Sequence, residues 1–194
     1  MCIRGKTESA VKKIVNGWRP SPNAPLWERD EIHEPEAPFF RDLSIQHQTQ
    51  SGPTCVLTTL SQLACASGAD VGPEHFMESV NTQSPHSWSK ALEPFGMQLA
   101  YCNTDLRRLE YYIDELVEMD DLFLVCFYSS NPPYDPDPTG KLVVSHIVTL
   151  HRDEIIDTAK GGIWGVCAAT EYTRLELPTK RIFRVVPIGH PRAV

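Results

Sequence analysis

The sequence has little of what would place a protein in a class at once. It carries 18 lysines and arginines against 25 acids, a formal net charge of −7. The cations are scattered, so no basic surface is concentrated to meet phosphate, and nucleic acid is excluded as the main partner. No apolar stretch approaches the length of a bilayer span. The amino terminus has basic residues but no apolar run of signal-peptide length, so the expected location is cytoplasmic, with no membrane partner. The six cysteines, at 2, 55, 65, 102, 126 and 167, include no short-spaced pair of the zinc-knuckle kind. The chain is long and apolar enough to fold without staples, which predicts reduced thiols and no fixed metal site. Internal repeats are absent, as are low-complexity tracts apart from the Pro-Asp-rich stretch from Asn131 to Gly140.

What is present describes a globular chain. Its 194 residues are 41% hydrophobic and 22% charged, enough for one domain with a real core. Residues 1–38 read as an amino-terminal extension. It begins as a short amphipathic helix around Val11, Ile14 and Val15 and continues as a proline-rich, acidic segment from Trp18 to Pro38. Met1-Cys2 carries only a weak signal for an amino-terminal cysteine nucleophile. Residues 39–194 read as the main domain. Helices are expected from Cys55 to Ala66 with Gly68 as the stop, from Pro73 with Phe76, Met77 and Val80 inward, from Ser87 around Trp88, Ala91 and Leu92, and from Thr104 through Leu106, Leu109, Ile113 and Leu116. Strands are expected at Gly96–Cys102, Asp121–Tyr128, Lys141–Leu150, Ile163–Ala168 and Ile182–Pro187. Helices followed by an antiparallel sheet make an α+β chain.

One stretch organises the rest. Gln48-Thr49-Gln50-Ser51-Gly52-Pro53-Thr54 is polar and turn-forming, and it delivers Cys55 to the first turn of an apolar helix. The unpaired N–H groups and positive dipole end there stabilise a thiolate. Most cysteines in such chains are small buried hydrophobes. Cys55 is set apart by its helix start, by the two glutamines upstream and by a His/Asp pair downstream.

That pair is His146 and Asp157. Ser145–Leu150 and Ile155–Thr158 read as a hairpin turning over His151 to Glu154. With a loop of two or four residues, Leu150 faces Ile155 and Val148 faces Asp157, so His146 and Asp157 share one face as diagonal neighbours. A carboxylate there fixes the imidazole, the imidazole takes the thiol proton and returns one to a leaving amine, and the sulfur carries an acyl group. His151 falls on the opposite face. Gln50, or else Gln48, is the expected side-chain donor to the oxyanion, beside the backbone N–H of Cys55.

Phe39-Phe40-Arg41 through Gln48-Thr49-Gln50-Ser51-Gly52-Pro53 and Cys55 resembles the catalytic domain of phytochelatin synthases, where a Gln-Thr-Gln-Ser-x-Pro run precedes the nucleophile. Gly96 to Asn103, Phe127-Tyr128-Ser129, His146 and Asp157-Thr158-Ala159-Lys160 are similar to successive family segments, and the resemblance covers about Phe39 to Tyr172. It implies a papain-like cysteine protease fold, its helical half packed on an antiparallel sheet. It implies a peptidase or γ-glutamylcysteine dipeptidyl transferase that cleaves the Cys–Gly bond of glutathione or a related small thiol peptide through a thioester. The catalytic residues would be Cys55, His146, Asp157 and Gln50, with Lys160 and Gln48 binding substrate. No cofactor is expected, and any metal dependence would enter through metal held by substrate thiols. One residue fewer separates Pro53 from Cys55 than in the family, and Val56 replaces its glycine. A second reading therefore stands open: a papain-like deamidase, transglutaminase or acyltransferase acting on a protein or other amide.

Overall fold

The apolar run Leu122–Phe127 is buried at every position, and a strand buried on both faces needs a packed layer on each side. Alternation sends Leu122, Leu124 and Cys126 into one apolar cluster and Phe123, Val125 and Phe127 into another. In the computed structural model, which describes residues 37–103, 107–128 and 145–194, this strand lies inside a six-stranded sheet. The spatial order is β1 (Met97–Asn103), β6 (Thr179–Pro187), β2 (Leu122–Phe127), β3 (His146–His151), β4 (Glu154–Ile156) and β5 (Val166–Ala168). All neighbours are antiparallel.

The first cluster joins the sheet to α1 (Cys55–Ala66) and α2 (Pro85–Leu92). Val56, Leu57, Leu60, Leu63 and Ala64 of α1 pack there with Trp88 and Leu92 of α2. α1 ends where Gly68 takes φ 97°, a conformation glycine adopts without steric cost. The second cluster covers the other face with Leu109, Ile113 and Leu116 and reaches Tyr172. This is the α+β arrangement expected, helices from the amino-terminal half packed on an antiparallel sheet.

Several local expectations are corrected. The helix expected from Thr104 is broken: Leu109–Tyr111 is a 3-10 turn and only Ile113–Glu118 (α3) is α-helical. The amides of Leu109 and Glu110 donate to the carbonyls of Leu177 and Leu175, which removes them from a helical ladder. Thr104 and Leu106 lie outside the described residues, although Leu109, Ile113 and Leu116 are buried as their spacing requires. Pro73–Phe76 is a single 3-10 turn, with Phe76 and Val80 inward but Met77 65% exposed. α2 starts at Pro85 with Ser84 at the cap position, so Ser87 sits in its first turn. Gly162–Gly165 forms a 3-10 turn, and the fifth strand begins only at Val166. The helix expected at the amino terminus, the proline-rich segment through residue 36, the Asn131–Gly140 stretch and residues 141–144 lie outside the described residues. Among the described residues no helix is long and apolar enough to cross a membrane.

β3 and β4 are joined by Arg152 and Asp153, with Arg152 at φ 57°. Leu150 faces Ile155 and Thr149 faces Ile156, the register expected from a two-residue turn. Carried two positions further, it places His146 and Asp157 together at the end of the sheet near the start of α1.

Candidate active site

The loop before α1 is shaped by its own polar groups. Gly52 takes φ 64°, the Gln50 amide donates to the Gly52 carbonyl at 2.8 Å, and the Thr54 hydroxyl donates to the Ser51 carbonyl at 3.0 Å. Thr54 stands at the cap position without a side-chain cap hydrogen bond. No side-chain cap therefore occupies the first-turn amides of α1 beside the half-buried sulfur of Cys55.

Gln50 also ties this loop to the strand end that bears the acid. Its backbone N–H donates to the Thr158 carbonyl at 2.8 Å, and the Thr158 hydroxyl donates to its side-chain oxygen at 2.8 Å. Residues 50 and 158 thus clasp the loop before α1 to the chain just after Asp157. One N–H of the Gln50 amide is engaged by Gly52. Gln48 is placed elsewhere: its oxygen accepts from Ser61 at 3.1 Å and its nitrogen donates to the Cys65 sulfur at 3.8 Å. Ser61 and Cys65 stand roughly two and three turns along α1 from Cys55.

Asp157 is held at nearly every polar atom. Its carboxylate accepts from His146 Nε2 at 2.7 Å, from the Ala159 backbone N–H at 3.0 Å and from the Tyr172 hydroxyl at 2.8 Å. Its backbone N–H donates to the Gly165 carbonyl, and its carbonyl accepts from the Lys160 backbone and from His47 Nε2. The His47 ring lies over Gly165, where a Cβ would run into it. Burial alone would push the carboxyl up; the hydrogen bond and charge of His146 outweigh it, helped by Tyr172 and Ala159, and bring its pKa down to about 2.

An ionised carboxylate only accepts, so the proton between the pair belongs to His146 Nε2. Nδ1 is left unengaged by Asp157, and the Cys55 side chain is near enough to act on the imidazole. Burial lowers the pKa of the imidazole, but Asp157 and Cys55 together leave it raised. The Phe127 ring stands edge-on to His146 at 5.6 Å and packs against Tyr172 at 6.1 Å between centroids. Imidazole and carboxylate are therefore joined at 2.7 Å, and the sulfur stands near them from the helix-side cluster.

Cys126, inward on β2, has its thiol pushed up to about 12 by burial and by the charge of Cys55; it stays protonated. His151 turns away, its Nε2 donating to the carbonyls of Phe40 and Arg41. Lys160 lies at the surface, donating to the Thr173 hydroxyl at 3.0 Å with its ammonium 5.0 Å from the Tyr172 ring centroid.

Two members of the site carried no sequence signal. Tyr172 reaches Asp157 from the 3-10 turn after β5, and no periodicity marks it. His47 is one residue before the Gln-Thr-Gln run, and only the return of Gly165 beneath it gives it a role. Among the described residues no cluster of histidine, cysteine and acid side chains is arranged to hold a metal. No protein-family model, no curated protein and no solved structure matches this chain.

Proposed function

We propose that this chain is a papain-like cysteine acyl-transfer enzyme resembling phytochelatin synthases. It would cleave the Cys–Gly amide of glutathione or a similar small thiol peptide and pass the γ-glutamylcysteinyl group to water or to a second thiol peptide. The observation that carries the reading is the buried His146–Asp157 pair, its carboxylate fully held, with Cys55 at the start of α1 close to the imidazole.

In this reading His146 Nδ1 takes the proton of Cys55 and the sulfur attacks the substrate carbonyl. The developing oxyanion is met by the backbone N–H of Cys55, with the remaining N–H of Gln50 as the side-chain donor within the same loop. Imidazolium then protonates the departing glycine nitrogen, the C–N bond breaks and a thioester remains. A water or a thiol peptide amine, deprotonated by the neutral imidazole, attacks that thioester and releases the thiol. Asp157 holds Nε2–H throughout, so the same nitrogen always faces the sulfur.

The test is glycine release from glutathione by the wild-type protein and by Cys55→Ala. The reading expects release by the wild type and a loss of at least about 10⁴-fold in the variant. Equal rates would refute it. Release of ammonia from a protein glutamine, with no glycine from glutathione, would move the same machinery to the deamidase reading.

A further inference from the structure

We propose that Lys180 and Arg181 form an anion subsite beside Cys55, built by a bulge in β6, that holds a free carboxylate of the substrate. The inference rests on Cys55 being the nucleophile and adds the chemistry that chooses its substrate.

In a regular strand residues 180 and 181 would point to opposite faces. Here Cys126 of β2 faces Arg181 while the next residue, Phe127, faces Thr179, so Lys180 is an extra residue on β6. Such a bulge sets two residues opposite one and re-aims their side chains, a device found beside active sites. The outcome is visible in the cleft at this end of the sheet, which Lys180 and Arg181 line together with Gln83, Trp88, Cys126 and Ser145. Cys126, which lines this cleft, belongs to the helix-side cluster against which Cys55 packs. Ser145 is the residue before His146. The cleft therefore opens on the flank of the site just described.

The two cations lack a counter-charge among the described residues: the ion pairs found there involve other side chains. The Lys180 ammonium lies 5.7 Å from the Tyr128 ring centroid. Burial and the neighbouring Arg181 lower the pKa of Lys180. Two like charges held side by side are a standing electrostatic cost that an incoming anion relieves. The enclosed space is about 10 Å³, room for a group the size of one water. It fits a carboxylate oxygen and excludes a whole residue. Lys160, by contrast, already has Thr173 and Tyr172 as partners.

The experiment compares alkylation of Cys55 by iodoacetate, which is anionic, and by iodoacetamide, which is neutral, followed by peptide mass mapping. Taking the ratio of the two rates cancels any change in thiolate content. The wild type is expected to favour iodoacetate over iodoacetamide by about tenfold more than a small free thiol does, an enhancement that falls with added salt. Lys180→Gln and Arg181→Gln should each lower the ratio several-fold, and Lys180→Arg should keep it. A wild-type ratio equal to that of the free thiol, unchanged by both neutralising variants, overturns the subsite while leaving the nucleophile intact. Cys55 alkylated no faster than Cys65 or Cys167 overturns the catalytic reading, and the subsite with it. Protection of Cys55 by glutathione and by its glycine ethyl ester identifies the carboxylate: protection lost with the ester assigns the glycine end, and protection kept assigns the γ-glutamyl end. Protection equal in wild type and Lys180→Gln counts against the subsite in either case.

Discussion

Two buried acid–base pairs stand at opposite ends of the central strands, about 20 Å apart at the rise of a strand the length of β2. Asp121, just before β2, takes Arg184 Nε at 2.8 Å and Nη2 at 2.7 Å, and its other oxygen accepts the Phe40 N–H at 2.9 Å. The guanidinium also reaches the Ala37 carbonyl and lies over the Phe39 ring at 4.5 Å. The contacts with Ala37, Phe39 and Phe40 fasten residues 37–40 to the sheet. Asp157 and His146 are nearly as buried, with side-chain exposures of 2% and 9%, and their carboxylate is held equally firmly. The difference lies in the base. A guanidinium never gives up its proton and can only be a fixture. An imidazole can, and here a thiol is near enough to act on it. Burial and good geometry do not mark a functional pair; a proton that can move does.

Substitutions should separate the two ends. The largest effect on turnover short of removing the sulfur or the imidazole is expected from Asp157→Asn, which keeps the shape but frees the imidazole to take the wrong tautomer. Glycine release should drop by about 10²–10⁴-fold, measured against wild-type protein of the same circular dichroism. Its stability should change with pH in a defined way. The carboxyl pKa falls from 3.8 to about 2 on folding, so its contribution is present above 3.8 and lost as pH drops toward 2. The imidazole pKa is raised above 6.5, so its contribution is complete below 6.5 and lost as pH climbs through the folded value. The difference in Tm between wild type and Asp157→Asn should therefore be largest between about pH 4 and 6.5 and shrink on either side.

At the other end Asp121→Ala removes the carboxylate paired with the buried Arg184. It should cost about 3–5 kcal/mol in urea unfolding, while the folded fraction turns over at nearly the wild-type rate. A large loss of specific activity in that fraction would erase the distinction between the ends. The smallest effect belongs to Tyr172→Phe. Losing one hydrogen bond to a charged oxygen, worth about 1.5–3 kcal/mol, should loosen the placement of Asp157 and leave its carboxylate more basic. The acidic limb of the pH–rate profile should shift upward as the imidazolium is better stabilised, and kcat should fall by roughly tenfold with KM unchanged. A change in stability alone, with the profile fixed, would reduce Tyr172 to packing.

What the sequence made legible follows from local rules. The helix over 55–66 rests on apolar spacing and a terminal glycine, and the placing of His146 beside Asp157 on strand parity across a short turn. Both depend on neighbours within a dozen residues. The pairing of β1 with β6 joins Met97 to Pro187, a contact no local pattern contains. The break in the helix expected from Thr104 has the same origin, because distant carbonyls at 175 and 177 capture its amides. The polar details of the site were illegible for a related reason. Gln48 and Gln50 look alike in the sequence, yet the path of the loop gives one to α1 and the other to Thr158. Lys180 reads as one cation of a strand until the bulge sets it beside Arg181.

The most direct test of the central claim, that sulfur, imidazole and carboxylate act as one unit, is the rate of Cys55 alkylation by iodoacetamide at mildly acidic pH in wild type and His146→Ala. The account predicts that wild-type Cys55 reacts at least about tenfold faster than Cys65 and Cys167 and falls to their rate when the imidazole is removed. Equal rates at Cys55 in the two proteins would contradict it.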